Sequence, residues 1–185
     1  MIRFRLPGLA LRLAVLAAAG LGSAVALAMP PGEYQIKAAY LLNFARYVEW
    51  PAARLASGMP LRLCVVGRDP FGAALAGVEG RQVNGHEVRV RQVDGAEQAA
   101  DCHIVFIADS EERRLGVLLR GLAVRGVLTV SDIDGFAEAG GAIGLVVEDE
   151  RVRFDINQAV LLRDGLRASS QLLRLGRSVF GLKAP

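Results

Sequence analysis

The sequence predicts an α/β fold, a single three-layer domain with a mostly parallel sheet, a C-terminal hairpin and helices. Short apolar runs alternate along the chain with segments of helical spacing, which is typical of strands joined by helical crossovers in a parallel sheet. The runs at 102–109 and 127–132 are almost continuously apolar, as expected of strands covered on both faces. Residues 142–157 form two further stretches around a turn at 148–150, which predicts the hairpin.

Residues 1–28 have the features of a secretory signal peptide. Arg3, Arg5 and Arg12 precede an apolar run that ends with Ala26 and Ala28 at the −3 and −1 positions of a signal-peptidase site. The run is about 16 residues long, short of the roughly 20 that span a bilayer. We therefore expect export and a mature domain over 29–185, with an uncleaved N-terminal anchor as the alternative.

Removal of this segment changes the charge of the protein. Of the 22 Lys and Arg residues, three lie in residues 1–28, which contain no acid, so the remainder carries 19 basic and 19 acidic side chains. The pI of 9.2 reflects the signal peptide. A neutral mature protein lacks the basic face that nucleic-acid binding requires, so nucleic acid is not an expected partner.

The first element of the mature domain is a predicted helix from Glu33 to Val48, which Pro51 stops. Glu33 and Lys37 form an i,i+4 pair. The predicted apolar stripe consists of Ile36, Tyr40, Phe44, Tyr47 and Val48. A helix this apolar is covered either by its own domain or by a partner, and the sequence leaves both open. The partner interpretation places an interface at the end of the helix, formed by Arg46, Tyr47 and Trp50.

The following elements alternate between strands and helices. Residues 61–67 predict a strand, and a loop with a short helix follows in 68–77. Residues 86–93 alternate apolar and polar after the turn signal Asn84-Gly85, which indicates a strand near a sheet edge.

The second half continues the pattern. The strand over 102–109 precedes an amphipathic helix with Ser110 as N-cap and Gly126 as C-cap. After the strand over 127–132 we expect a short helix in 133–141, the two hairpin strands, and helices in 158–165 and 166–180, with Asn157 as N-cap.

The sequence contains no recognisable catalytic, cofactor or metal motif. Of its two histidines, His103 lies within a predicted strand and is expected to be structural. Open parallel sheets bind ligands beyond the carboxyl ends of their strands, and this predicts a crevice lined by Arg68, Asp69, Asp109, Ser110, Ser131 and Asp132. Such residues are also common in ordinary loops and caps, so a purely structural role for them is the alternative.

Cys64 and Cys102 are the only cysteines. An even count in an exported protein favours a disulfide. The register of the strands argues against the bond, because strands that end level at Gly67 and Ala108 place Cys64 opposite Val105. A stagger or another strand order is needed to bring the two cysteines together.

Four segments together resemble the YfiR family of small exported proteins, in order and spacing. They are YQIKAAYLLNFARYVEWP, LRLCVVGRDPFGAAL, DCHIVFIADS and the stretch from TVSDIDGF to LLRLGRSV. The resemblance implies a periplasmic, non-enzymatic protein without a cofactor, a cysteine pair at Cys64 and Cys102, and repression of a membrane-bound diguanylate cyclase through its periplasmic sensor portion.

Three points stay open beside this resemblance. Some members of the family carry a second cysteine pair, which residues 103–185 lack, so redox switching through that pair is not expected. The membrane partner is either a diguanylate cyclase or a sensor kinase, and a homodimer is possible. The alternative function is a periplasmic small-molecule receptor or α/β enzyme that uses the crevice.

Overall fold

The computed structural model describes residues 32–181, so the predicted signal peptide lies outside the described residues. The strands within this range are β1 Val48–Glu49, β2 Leu61–Val66, β3 Gln82–Val83, β4 His86–Val93, β5 Ile104–Ile107, β6 Leu128–Ser131, β7 Ile143–Glu148, β8 Arg151–Asn157, β9 Arg167–Ala168 and β10 Ser178–Phe180. The helices are α1 Glu33–Tyr47, α2 Ala73–Ala76, α3 Ala96–Ala99, α4 Leu115–Leu122, α5 Gln158–Arg163 and α6 Ser170–Leu175, and a 3₁₀ segment over Asp109–Arg114 leads into α4.

The main sheet has the order β10-β8-β7-β6-β5-β2-β4-β3. Strands β4, β2, β5, β6 and β7 are parallel neighbours, β8 is antiparallel to β7, and β3 is antiparallel to β4. Because the chain runs from β2 outward to β4 and then returns past β2 to β5, the direction of winding changes between β2 and β5. The predicted α/β class, with a mostly parallel sheet and a hairpin, is confirmed.

Apolar side chains on opposite faces of this sheet belong to two separate clusters. In β2, Leu63 and Val65 pack on the side of α1, whereas Cys64 and Val66 pack on the side of α4. Strand β5 divides its side chains in the same way, because successive residues of a strand point to opposite faces. Helices cover both faces, which gives three layers.

Helix α1 has the predicted position, and of the predicted stripe only Phe44 and Val48 are fully buried. Its fully buried residues are Lys37, Ala38, Leu41, Phe44 and Ala45, whereas Ile36, Tyr40 and Tyr47 of the predicted stripe are only half-buried. Phe44 packs on Phe154 of β8 with ring centroids 5.2 Å apart, and the small side chains of Ala38 and Ala45 beside it complete the buried face.

The hairpin and its neighbouring cap form as predicted. Asp149 and Glu150 connect β7 to β8 with φ of 48° and 59°, the positive values that a tight two-residue hairpin turn requires. The Asn157 side chain then accepts a hydrogen bond from the Val160 N–H at 3.1 Å and caps α5.

Three local predictions were wrong. Residues 133–141 form turns instead of a helix, because Gly135 and Gly140 have φ of 67° and 101°, values that a right-handed helix does not contain. Ser110 does not cap α4, since its Oγ accepts the Arg68 N–H and a 3₁₀ segment intervenes. Residues 166–180 hold only the short helix α6, between β9, which pairs with β1, and β10, which pairs with β8.

Candidate partner-binding surface

The predicted crevice residues lie at one edge of the sheet, where the neighbouring strands β2, β5 and β6 end. The side chains of Asp69, Ser110 and Ser131 are bonded to nearby backbone groups. The Ser131 hydroxyl donates to the Ile107 carbonyl at 2.6 Å, and the Asp69 carboxylate accepts the Phe71 N–H at 2.8 Å. A Cβ atom at Gly67 would lie 2.6 Å from the Ser110 Oγ, so these two loops are in close contact. The crevice therefore stays a prediction as a ligand site.

Asp132 is the exception, because it joins a buried ionic cluster with the first turns of α1. Its Oδ2 atom accepts hydrogen bonds from the Lys37 Nζ at 2.6 Å and from the Tyr34 hydroxyl at 2.9 Å. The side chains of Lys37 and Asp132 are only 4% and 7% exposed, and Glu33 contacts Lys37 from the solvent side at 2.5 Å. The cluster anchors the start of α1 to the end of β6.

The ionisation of this cluster reflects its burial. Desolvation by burial, reinforced by the bond to Asp132, raises the pKa of Tyr34 to about 12. Burial alone would lower the pKa of Lys37, but the bonds to Asp132 and Glu33 outweigh it and raise that pKa. In the sequence, Lys37 lies four and seven residues before the buried Leu41 and Phe44, so the three residues share one face of α1. This spacing is the sequence signal that Lys37 is buried.

The predicted disulfide joins Cys64 of β2 to Cys102, with Cα atoms 6.0 Å apart and both residues fully buried. The strands do end level, and Cys64 lies opposite Val105 as the register requires. Cys102 nevertheless reaches Cys64 because it precedes β5, in a turn closed by its N–H on the Ala99 carbonyl. The alternation of side chains in a strand does not constrain a residue outside the strand.

Arg46, Tyr47 and Trp50 surround the end of α1 without forming one patch. The exposed Arg46 lines a groove between α1 and α2, whereas Tyr47 is half-buried with its hydroxyl 3.5 Å from the Gln171 amide. Trp50 is half-buried beside a cavity of about 320 Å³ that Gly165 and Arg167 also line. Its indole Nε1 is buried without a hydrogen-bond partner among the described residues.

The loop of residues 51–60, which follows Trp50, is held by the beginnings of the central strands. The Arg54 guanidinium donates to the Cys102 carbonyl at 2.8 Å. His103 accepts the Arg62 N–H on Nδ1 at 2.9 Å and bonds the Arg54 carbonyl through Nε2 at 3.1 Å. His103 is fully buried and meets the Trp50 ring edge-on. It is structural, as expected from the sequence.

We expect His103 to make the protein sensitive to acid. Burial, with smaller effects of Arg62 and Arg54, lowers the pKa of His103 to about 4. The unfolded chain takes up the proton near pH ~6.5, so the contribution of His103 to stability is complete above that pH and is lost as the pH falls towards about 4. Urea unfolding of the wild type and of His103→Gln across this range measures the effect. Equal slopes of the unfolding free energy against pH would contradict it.

Residues 32–181 contain no group of three or more His, Cys, Asp or Glu side chains placed to hold a metal ion. In the same range, no helix has the length and apolarity needed to cross a bilayer.

The sequence model of the YfiR/HmsC-like family matches residues 34–177. The match begins in α1, includes both cysteines and the Tyr34, Lys37 and Asp132 side chains of the buried ionic cluster, and ends immediately before β10. This chain belongs to the YfiR/HmsC-like family. The resemblance drawn from the four sequence segments is confirmed, and the members of the YfiR/HmsC-like family are periplasmic regulators rather than enzymes.

Two solved structures are similar to this YfiR/HmsC-like chain in fold. A conserved domain protein from Vibrio cholerae has 8% sequence identity and a TM-score of 0.56, over 80% of this chain and 60% of that one. An ABC domain from Streptococcus pneumonia in complex with L-Trp has 9% identity and a TM-score of 0.47, over 64% of this chain and 55% of that one. The chain thus spans little more than half of either structure, and at these identities the Vibrio comparison supports the fold alone.

Proposed function

We propose that this protein is exported to the periplasm, binds the periplasmic sensor portion of a membrane-bound diguanylate cyclase and represses it, which lowers cyclic-di-GMP. The observation that carries the proposal is the family match over residues 34–177. The signal features of residues 1–28 agree with export, and the mature charge balance agrees with a protein partner rather than nucleic acid.

The side chains around the end of α1 support the proposal physically, although they lie on different sides of the helix end. Interfaces obtain most of their affinity from a few aromatic and arginine side chains that lose water together. Arg46 is exposed, and Tyr47 and Trp50 are half-buried, so each keeps surface that a partner can cover.

We expect Arg46→Ala and Tyr47→Ala to remain folded but to release the cyclase, so that cyclic-di-GMP and surface attachment rise towards the level of a gene deletion. Tyr47 packs partly on the core, so its thermal midpoint is measured alongside. The matched control is Arg91→Ala, because Arg91 is also exposed but lies on the other face of the sheet, in β4.

The predicted export has its own test. The mass of the protein from the periplasmic fraction shows whether residues 1–28 are removed.

The outcomes separate the parts of this proposal. Folded Arg46 and Tyr47 variants that still repress fully would remove this surface from the mechanism. Unchanged cyclic-di-GMP after gene deletion would remove the cyclase as the target. In that case, crosslinking in intact cells followed by identification of the bound membrane protein distinguishes a sensor kinase from other partners.

A further inference from the structure

An open groove runs between α1 and the segment formed by α2 and β3. Its volume is about 370 Å³. The rim residues Gln35, Ala39, Arg46, Arg81 and Gln82 are exposed, so the groove is a surface trough rather than an enclosed cavity. We refer to it as the α1–α2 groove.

The floor of the α1–α2 groove is apolar and built from small side chains. Ala38 and Leu42 line it from α1, while Ala74, Gly77 and Val78 line it from the α2 segment. Small side chains let another helix approach closely, since the distance between packed helices, about 8–10 Å, depends on the residues at the contact. The groove thus has an apolar floor of mostly small side chains between exposed polar rims, which suits the apolar face of an amphipathic helix.

Two arginines flank this apolar floor. Arg46 stands in the last turn of α1, and Arg81 precedes β3 with its Nε donating to the Gly77 carbonyl at 3.0 Å. Neither arginine forms an ion pair within residues 32–181. Arg89 of the neighbouring strand β4 pairs by contrast with Glu79 and Glu87. The groove therefore presents positive charge that its own surroundings do not neutralise.

The walls of the groove are fixed before any partner binds. The Asn84 side chain donates to the Arg46 carbonyl at 2.9 Å and ties the end of α1 to the turn after β3. The bond from Arg81 to Gly77 holds the opposite wall. A surface ordered in advance loses less conformational entropy on binding, which favours affinity.

We propose that the α1–α2 groove binds an amphipathic helix of the partner protein, with apolar residues on the groove floor and acidic residues opposite Arg46 and Arg81. This inference rests on the proposed function, because it assigns a surface to the same regulatory contact. A strand is a poorer occupant, since the adjacent edge strand β3 has only two residues to pair. A second copy is a poorer occupant too, because a symmetric contact would bring like charges together.

The test measures binding between the purified mature protein and the purified periplasmic portion of the cyclase that gene deletion activates. We expect the double variant Arg46→Glu/Arg81→Glu to bind about tenfold more weakly at low salt, mainly through slower association. Ala39→Trp, which fills the groove without a change of charge, is expected to weaken binding similarly. Arg91→Glu and Val117→Trp, exposed positions on the opposite face of the sheet, serve as matched controls and should bind as the wild type does.

A reversal of charge on the partner completes the test. Replacement of the partner's contacting acid by arginine should restore its affinity for Arg81→Glu. If the groove variants all bind as the wild type does, the groove is not the binding site and the inference is overturned, while the proposed function stands. If the wild-type protein itself does not bind the cyclase, the proposed function fails. If Ala39→Trp instead converts a dimer of this protein to a monomer, the occupant is a second copy and the inference is overturned.

Discussion

Replacing Cys64 and Cys102 together with alanine should lower the free energy of unfolding by about 4 kcal/mol. The disulfide closes a loop with a sequence separation of 38. A crosslink of that span removes chain entropy from the unfolded state, which stabilises the folded state by about 4 kcal/mol. For a domain of this size, such a loss lowers the thermal midpoint by roughly 10 °C. Thermal unfolding of the two proteins measures the difference.

The same pair should behave as a structural bond rather than a redox switch. Both cysteines are fully buried, so a mild reductant has no access to the disulfide while the domain remains folded. We therefore expect the wild type in dithiothreitol to lose stability only after it has been unfolded and refolded under reduction. Two free thiols in unfolded, unreduced protein would contradict the bond. Rapid reduction of the native protein would contradict its structural role.

Breaking the buried cluster at the start of α1 should have an effect of similar size. Asp132→Ala leaves the ammonium group of Lys37 in a site only 4% exposed, with Glu33 as its remaining partner. Removing one partner of a buried ion pair costs about 3–5 kcal/mol, and we expect the lower end because Glu33 stays in contact. Urea unfolding near neutral pH measures the loss.

Two further variants separate burial of charge from simple loss of contacts. The double replacement Lys37→Met/Asp132→Leu removes both charges and fills the space, so it should restore most of the stability. Glu33→Gln should change stability by less than about 1 kcal/mol, because the Glu33 side chain is 47% exposed. If the double replacement proves as unstable as Asp132→Ala, the loss does not come from an uncompensated charge.

Tyr34 provides a spectroscopic readout of this cluster. Burial and the bond to Asp132 raise the pKa of Tyr34 to about 12, so Asp132→Ala should lower that pKa towards the usual value. The folded-state pKa values of Tyr34 and Lys37 are both raised, so their stabilising effect is complete below pH ~10 and is lost as the pH rises further. Alkaline titration of tyrosine absorbance, with Tyr34→Phe to assign the signal, tests this.

Several features of the fold were predictable because they depend on short-range pattern. The strands β2, β4, β5 and β6 are local runs of apolar or alternating residues, and the β7–β8 turn needs only two residues with positive φ. The wrong predictions concern segments whose local pattern competed with a tertiary contact. Ser110 has the chemistry of a helix cap, but the nearby Arg68 N–H takes its hydroxyl.

The candidate site was predictable only in part. The residues around the end of α1 were identified from their chemistry and from the stop at Pro51, and the structure shows Arg46 on one side and Trp50 on another. The α1–α2 groove was not predictable, because Arg46 and Arg81 lie far apart in the sequence and come together only through packing of α1 on the α2 segment.

The sequence by itself determined the α/β class, the order of the central elements and the family, because these follow from apolar periodicity and from motifs that are contiguous in the chain. Only the tertiary structure decided how the two cysteines meet, where Lys37 is buried and which face of α1 turns to the sheet. Each of these depends on contacts between residues more than 30 positions apart, such as Cys64 with Cys102 or Lys37 with Asp132. Packing of the whole domain, rather than local preference, sets such contacts.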